Sequence, residues 1–241
     1  DALRLGHVDV VTMANNHGVD FGAGGLADTL AAIPEAPLSV VGIGADEDAA
    51  FAPALHAVGG TTIAVIGASS ADDPTADPTA QWAAGDGTPG IAVATPPARL
   101  VDEVRAASGT ADVVVVFMHW GVQGDRCPSA SQAATARALS DAGADVVVGS
   151  HAHVVQGTGM LRDTYVAYGL GNFVWYTSGS EAASTTGVLT LTVDGGRVVD
   201  ETWAPARIQA DGLPRFSTGA EADAALAAFA GQRACTDLAV P

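Results

Sequence analysis

A mixed α/β fold with a late antiparallel run is what this sequence predicts, and three observations carry the prediction. Short runs rich in Val and Ile alternate with helical stretches through the first part of the chain. Three of those runs open with the same Asp-Val-Val triplet, at Asp9, Asp112 and Asp145, and each leads into a polar cluster. Further on, strand-like segments flank Asp194-Gly195-Gly196, a hairpin signal.

The elements follow in order. Val8 to Ala14 is a short apolar run and reads as a buried strand. Gly24 to Ile33 places Leu26, Leu30 and Ile33 on one helical stripe. Gly42-x-Gly44 lacks the third Gly of a dinucleotide loop and reads as a strand-end turn. Thr61 to Gly67 is the next strand. Ser69 to Pro89, dense in Asp, Pro, Thr and Gly, reads as a loop or lid. Pro96 to Ala107 is a helix that opens with prolines and carries Leu100 and Val104. Asp112 to Met118 is a strand. Pro128 to Ala142 is a helix with Ser residues at its start and Gly143 just past its end. Asp145 to Gly149, Tyr165 to Gly169, Gly187 to Val193 and Arg197 to Trp203 complete the strands.

Composition limits what such a chain does. Of 241 residues 48% are apolar and 15% charged, too apolar for a disordered acidic tail. All ten basic residues are Arg, and the formal charge is −17, which opposes nucleic-acid binding. The wholly apolar run Val113 to Met118 is far shorter than the roughly 20 residues of a membrane-spanning helix. The chain opens at Asp1 with neither Met nor a basic leader, so a fragment or a processed mature chain is expected, and no leader reveals its compartment. Cys127 and Cys235 lie in no C-x-x-C motif. They are either two free thiols or a bridge tying the tail to a central loop, as suits a secreted protein.

The polar clusters hold the chemistry. In an open α/β sheet, sites form beyond the carboxyl ends of strands. Four of the six histidines, His17, His119, His151 and His153, fall at such positions; His7 and His56 do not. With Asn15-Asn16 beside them they have the ingredients of a metal site, because imidazole and amide oxygen both suit divalent transition ions. On an extended strand His151 and His153 would face one side. In so acidic a chain a bound cation would supply the local positive charge that an anionic substrate needs.

Together these motifs resemble a known family. Ala14-Asn-Asn-His-Gly-Val-Asp-Phe-Gly22, His119-Trp-Gly121, the segment from Asp141 to Gln156 containing Ser150-His-Ala-His153, and Tyr168-Gly-Leu-Gly-Asn-Phe173 occur in the order seen in the CapA family. These are bacterial capsule and poly-γ-glutamate synthesis proteins, a branch of the calcineurin-like metallophosphoesterases. The resemblance covers positions 1–205, with 206–241 left as a C-terminal tail packing on the domain. It implies a calcineurin-like αββα sandwich with mixed sheets and a centre of two divalent ions, of Mn, Fe or Zn type. By motif position Asn16, His119 and His151 would bind one ion and His153 the other. His17 would be the catalytic acid, held by Asp20. Asn15, Trp120, Gln156 and Asn172 would line the substrate pocket. The remaining ligands would come from an upstream strand, so the sheet is expected to lack its N-terminal strand, and the chain alone to fall short of a two-metal enzyme. The implied role is extracytoplasmic, in capsule or poly-γ-glutamate metabolism, on a phosphoester or anionic polymer, with membrane-bound synthesis partners and no nucleic acid. A non-catalytic polymer-binding or export component is the alternative. A (β/α)-barrel amidohydrolase fits poorly, because its His-x-His opens the barrel and here it comes late.

Overall fold

The computed structural model describes residues 2–71, 82–176 and 179–241. The chain forms two compact units, one of residues 1–119 and 142–144, the other of residues 120–141 and 145–241.

In the first unit a single helical turn, α1 (Ala2–Leu5), precedes β1 (Val10–Thr12), α2 (Gly22–Ala32), β2 (Ser39–Val41) and β3 (Ile43–Gly44). Next come α3 (Glu47–Phe51), β4 (Ala54–Val58), β5 (Thr61–Ala71), β6 (Gly90–Ile91), α4 (Ala98–Ser108) and β7 (Val113–Gly121). β1 pairs with β2 in parallel, β3 with β6 and β4 with β5 antiparallel, and β5 neighbours β7. The predicted stripe of α2 is real: Leu26 is buried with Val19, Ile43 and Ile91, and Leu30 and Ile33 pack against them.

Two readings of this unit change. The Gly42-x-Gly44 turn contains β3, because Ile43 is buried and pairs with Ile91. The strand beginning at Thr61 continues through Ser69 and Ser70, which are buried despite their polarity. Ser69 exchanges backbone hydrogen bonds with Ala92 and Ala94, both 2.8 Å, so the ladder satisfies a segment whose side chains suggested a loop. The rest of that predicted loop divides. Positions 72–81 lie outside the described residues. Trp82 to Ile91 folds back on itself, with Ile91 N donating to Trp82 O (2.9 Å) around a turn at Gly85–Thr88.

The second unit holds α5 (Ala130–Ala142), β8 (Val146–His151), β9 (Thr158–Leu161) and β10 (Thr164–Ala167). After these come α6 (Glu181–Ser184), β11 (Thr185–Asp194), β12 (Arg197–Ile208), β13 (Pro214–Phe216) and α7 (Gly219–Gly231). β8 and β10 are parallel, β9 and β10 antiparallel, and β11, β12 and β13 form an antiparallel meander. The predicted hairpin turns through Gly195 (φ 56°) and Gly196 (φ 78°), left-handed conformations that side chains resist. Residues 206–241, expected as a tail, contain β13 and α7, whose Phe229 stacks on Trp203 with ring centroids 4.4 Å apart. Cys127 and Cys235 form a disulfide with Cα atoms 5.7 Å apart.

The three Asp residues at the strand starts join neighbouring strands, two through the backbone carbonyl and one through the side chain. Asp9 O accepts from Ser39 N (2.9 Å) and Asp145 O from Tyr165 N (2.9 Å). Asp112 Oδ2 accepts from Thr62 N (2.7 Å). Each of these bonds fastens a strand to its neighbour.

Candidate metal centre

The segment after β1 is a compact turn in which each residue has a distinct task. Asn15 Oδ1 accepts from His17 N (2.8 Å), a side-chain-closed turn. Gly18 sits where a Cβ would stand 2.6 Å from Met13 O and 2.9 Å from Ile91 Cγ2, so no larger residue fits. Val19 anchors the turn in the core. Asn16, buried, points inward, and its Oδ1 lies 2.8 Å from His119 Nε2. His17 points outward with its side chain 70% exposed, and its Nδ1 meets Asp20 Oδ2 at 2.9 Å. One tight turn thus presents one residue to the interior and the next to solvent. His119 lies within β7, because that strand runs to Gly121 rather than stopping at Met118.

In the second unit His151 ends β8 and is buried, while His153 is half-buried. Both have left-handed backbones, φ 86° and 57°. The period-two rule that placed them on one face therefore does not apply, since the extended conformation ends at His151. Their rings are 6.2 Å apart. Left-handed non-Gly residues cost of order 1–3 kcal/mol each and persist where their surroundings hold them. His153 is held by Asn172 Oδ1, 2.6 Å from its Nδ1, and by the Trp175 ring 4.8 Å away.

Trp120 and Gln156, expected to line a pocket, are fully enclosed in this unit. Trp120 Nε1 donates to Tyr168 O (2.8 Å). Gln156 Nε2 donates to Asp125 O (2.8 Å), and its Oε1 accepts from Gln132 Nε2 (3.0 Å). Their polar atoms are therefore occupied by protein, and both side chains brace the segment beyond β8. Gln132, which the motifs did not single out, is the centre of that brace. Its signal was present as Ser129-x-x-Gln132. Gln132 N donates to Ser129 Oγ (3.1 Å) and Ser129 N to Gln132 Oε1 (2.9 Å), a capping box at the start of α5.

The model of the family described as "Bacterial capsule synthesis protein PGA_cap" matches residues 1–177. The chain belongs to this family. The chain is 38% identical over 167 residues to "PGA biosynthesis protein CapA" of Bacillus subtilis, covering 69% of this chain and 42% of that protein. It is 36% identical over 177 residues to "Capsule biosynthesis protein CapA" of Bacillus anthracis, covering 72% and 42%. It thus spans about two-fifths of the length of the curated relatives it matches. A phosphatase structure from Mycoplasma pneumoniae superposes with a TM-score of 0.52 at 12% identity, covering 84% of this chain and 73% of that one. At that identity the likeness shows the fold, and the calcineurin-like fold expected from the motifs is the one found.

The donor chemistry of these residues fits a divalent transition ion. In the first unit an amide oxygen and an imidazole nitrogen, Asn16 Oδ1 and His119 Nε2, converge at 2.8 Å. In the second unit two imidazoles stand on a strained strand end. Among the described residues no group of three or more His, Cys, Asp and Glu side chains gathers as a complete metal cage. What stands close together is an amide and an imidazole in one unit and two imidazoles in the other.

Proposed function

We propose that this chain provides the Asn and His ligands of a divalent-metal hydrolase of phosphoesterase type that serves capsule or poly-γ-glutamate metabolism outside the cytoplasm. Asn16 and His119 of one unit, and His151 and His153 of the other, would serve as metal ligands. When bound, the metal polarises a phosphoryl oxygen and activates a water. The observation that carries the proposal is the His17–Asp20 pair. Asp20 accepts from one ring nitrogen and so orients the imidazole, whose other nitrogen is available to exchange a proton with a leaving group. An exposed, carboxylate-oriented His next to the inward-pointing Asn16 is what acid catalysis requires, and a polymer binder has no use for it. The Cys127–Cys235 bond supports an oxidising compartment.

In the full-length protein, His119→Ala and His151→Ala are expected to lower bound divalent metal, measured by elemental analysis, and to abolish hydrolysis of an artificial phosphodiester. Metal content equal to wild type in both variants would overturn the ligand assignment. Metal loss without any phosphodiesterase activity in the parent protein would favour the polymer-binding alternative.

A further inference from the structure

We propose that Asn172 is a positioning residue that fixes the tautomer of His153, rather than a substrate contact. Asn172 is buried in the segment between β10 and α6, and its amide faces three protein atoms. Nδ2 donates to Ala183 O (3.0 Å) and approaches His153 O at 3.4 Å. Both are carbonyl oxygens and only accept, so the NH2 side of the amide must face them. That leaves Oδ1 facing His153 Nδ1 at 2.6 Å. An amide oxygen also only accepts, so Nδ1 carries the proton and Nε2 keeps its lone pair. Free histidine in water prefers the opposite tautomer, so the fold imposes this one.

The clamp has further supports. Thr186 Oγ1 donates to the Asn172 carbonyl, which fastens the residue to β11. Trp175 flanks the imidazole with ring planes at 45° and restricts its rotation. The left-handed backbone of His153 is thereby tied at its ring, through Nδ1, and at its carbonyl, through Asn172 Nδ2. A ring held in this way offers Nε2 as its only lone-pair nitrogen, the arrangement in which a metal-binding His is oriented by a hydrogen bond to its other nitrogen. The consequence for metal rests on the proposed function; the tautomer does not.

The test uses the full-length protein, 15N-labelled at histidine and free of metal, at about pH 8, above the ordinary imidazole range. Two-bond 1H–15N correlation spectra distinguish the tautomers, and His153→Gln assigns the resonance. Wild type is expected to show His153 protonated at Nδ1. Asn172→Asp, which keeps an oxygen facing the ring, should retain that tautomer. Asn172→Ala should shift His153 toward the Nε2–H form while the spectra of the other histidines stay in place. Wild-type His153 in the Nε2–H form, or an Asn172→Ala spectrum unchanged at His153, would overturn the proposal, and the wild-type measurement stands even if Asn172→Ala does not fold. Titration with Mn(II) or Zn(II) should then show affinity reduced roughly 10–100-fold in Asn172→Ala. A changed tautomer with unchanged affinity supports the positioning role and counts against His153 as a ligand.

Discussion

The two units present their histidines in opposite ways. In the first, His17 is exposed and its partner Asp20 is three residues away, so the whole device fits in a single turn. In the second, His151 is buried and His153 is tied to a residue 19 positions later. The first arrangement costs the fold little to alter, because solvent replaces whatever is removed. The second is built into the core, where a lost partner leaves a buried polar group unpaired at about 1–3 kcal/mol. One histidine is thus placed where water reaches it, and the other two where packing enforces their geometry.

The strongest way to break this contrast is to disturb the brace of the second unit. At Gly149 a Cβ would collide with Tyr168 O and Trp120 Nε1, the two partners of a buried hydrogen bond. Gly149→Ala is expected to cost more than about 4 kcal/mol, seen as loss of cooperative thermal unfolding at its normal temperature. A stable variant with an unshifted transition would show that this strand end yields easily. The corresponding test of the first unit is His17→Asn. In the full-length protein it should lower phosphodiester turnover by roughly 10²–10⁴-fold, least for esters with good leaving groups, because a proton donor acts in the transition state. Its unfolding midpoint and metal content should match wild type. A large fall in stability would place His17 in the scaffold and erase the distinction between the units.

How far the sequence reveals this depends on the reach of each interaction. The Asn15–Asp20 turn is legible because its causes are local: an Asn that closes a turn, a Gly that fits a tight gap and an Asp in register with His17. The starts of β1, β7 and β8 are legible for the same reason, since Asp and β-branched residues mark them. The roles of Trp120 and Gln156 are not, because a buried Gln and a pocket Gln look alike until the partners Asp125 and Gln132 are placed. The extension of β5 through Ser69 is hidden likewise, as its ladder partners Ala92 and Ala94 lie beyond a stretch of polar sequence. The helix α7 is so rich in Ala that no apolar stripe announces it.

A gentler probe sharpens the contrast through pH. All three tyrosines belong to the second unit. Burial, reinforced by Asp237, pushes the Tyr168 phenol up to about 12, and burial together with Glu201 raises Tyr165 as well. An unfolded tyrosine ionises near pH 10. A raised folded value means the stabilisation is complete below about pH 10 and is lost as pH climbs toward 12. The urea midpoint of the second unit should therefore fall between about pH 9 and 11, and Tyr168→Phe should flatten that fall. The Tyr168 hydroxyl has no hydrogen-bond partner among the described residues, so the phenylalanine is expected to fit. An identical decline in the variant would trace the alkaline loss to other groups.

The pairing of Met160 with Ala239 bears on how the chain is made. Two backbone hydrogen bonds, of 2.9 and 2.8 Å, join these residues, and Arg233 Nε donates to Thr158 O (2.6 Å) beside them. β9 therefore cannot satisfy its outer edge until residue 239 has left the ribosome. The first unit draws on nothing later than Ala144. At about 5–20 residues per second, the roughly 95 residues between them take some 5–20 s to synthesise. Over that interval the first unit has all its residues, while the second waits with an open strand edge for a nascent-chain chaperone or a neighbouring polypeptide to shield. Protease protection of ribosome-bound chains stalled at successive lengths should rise in two steps, the later one only once Ala239 has emerged.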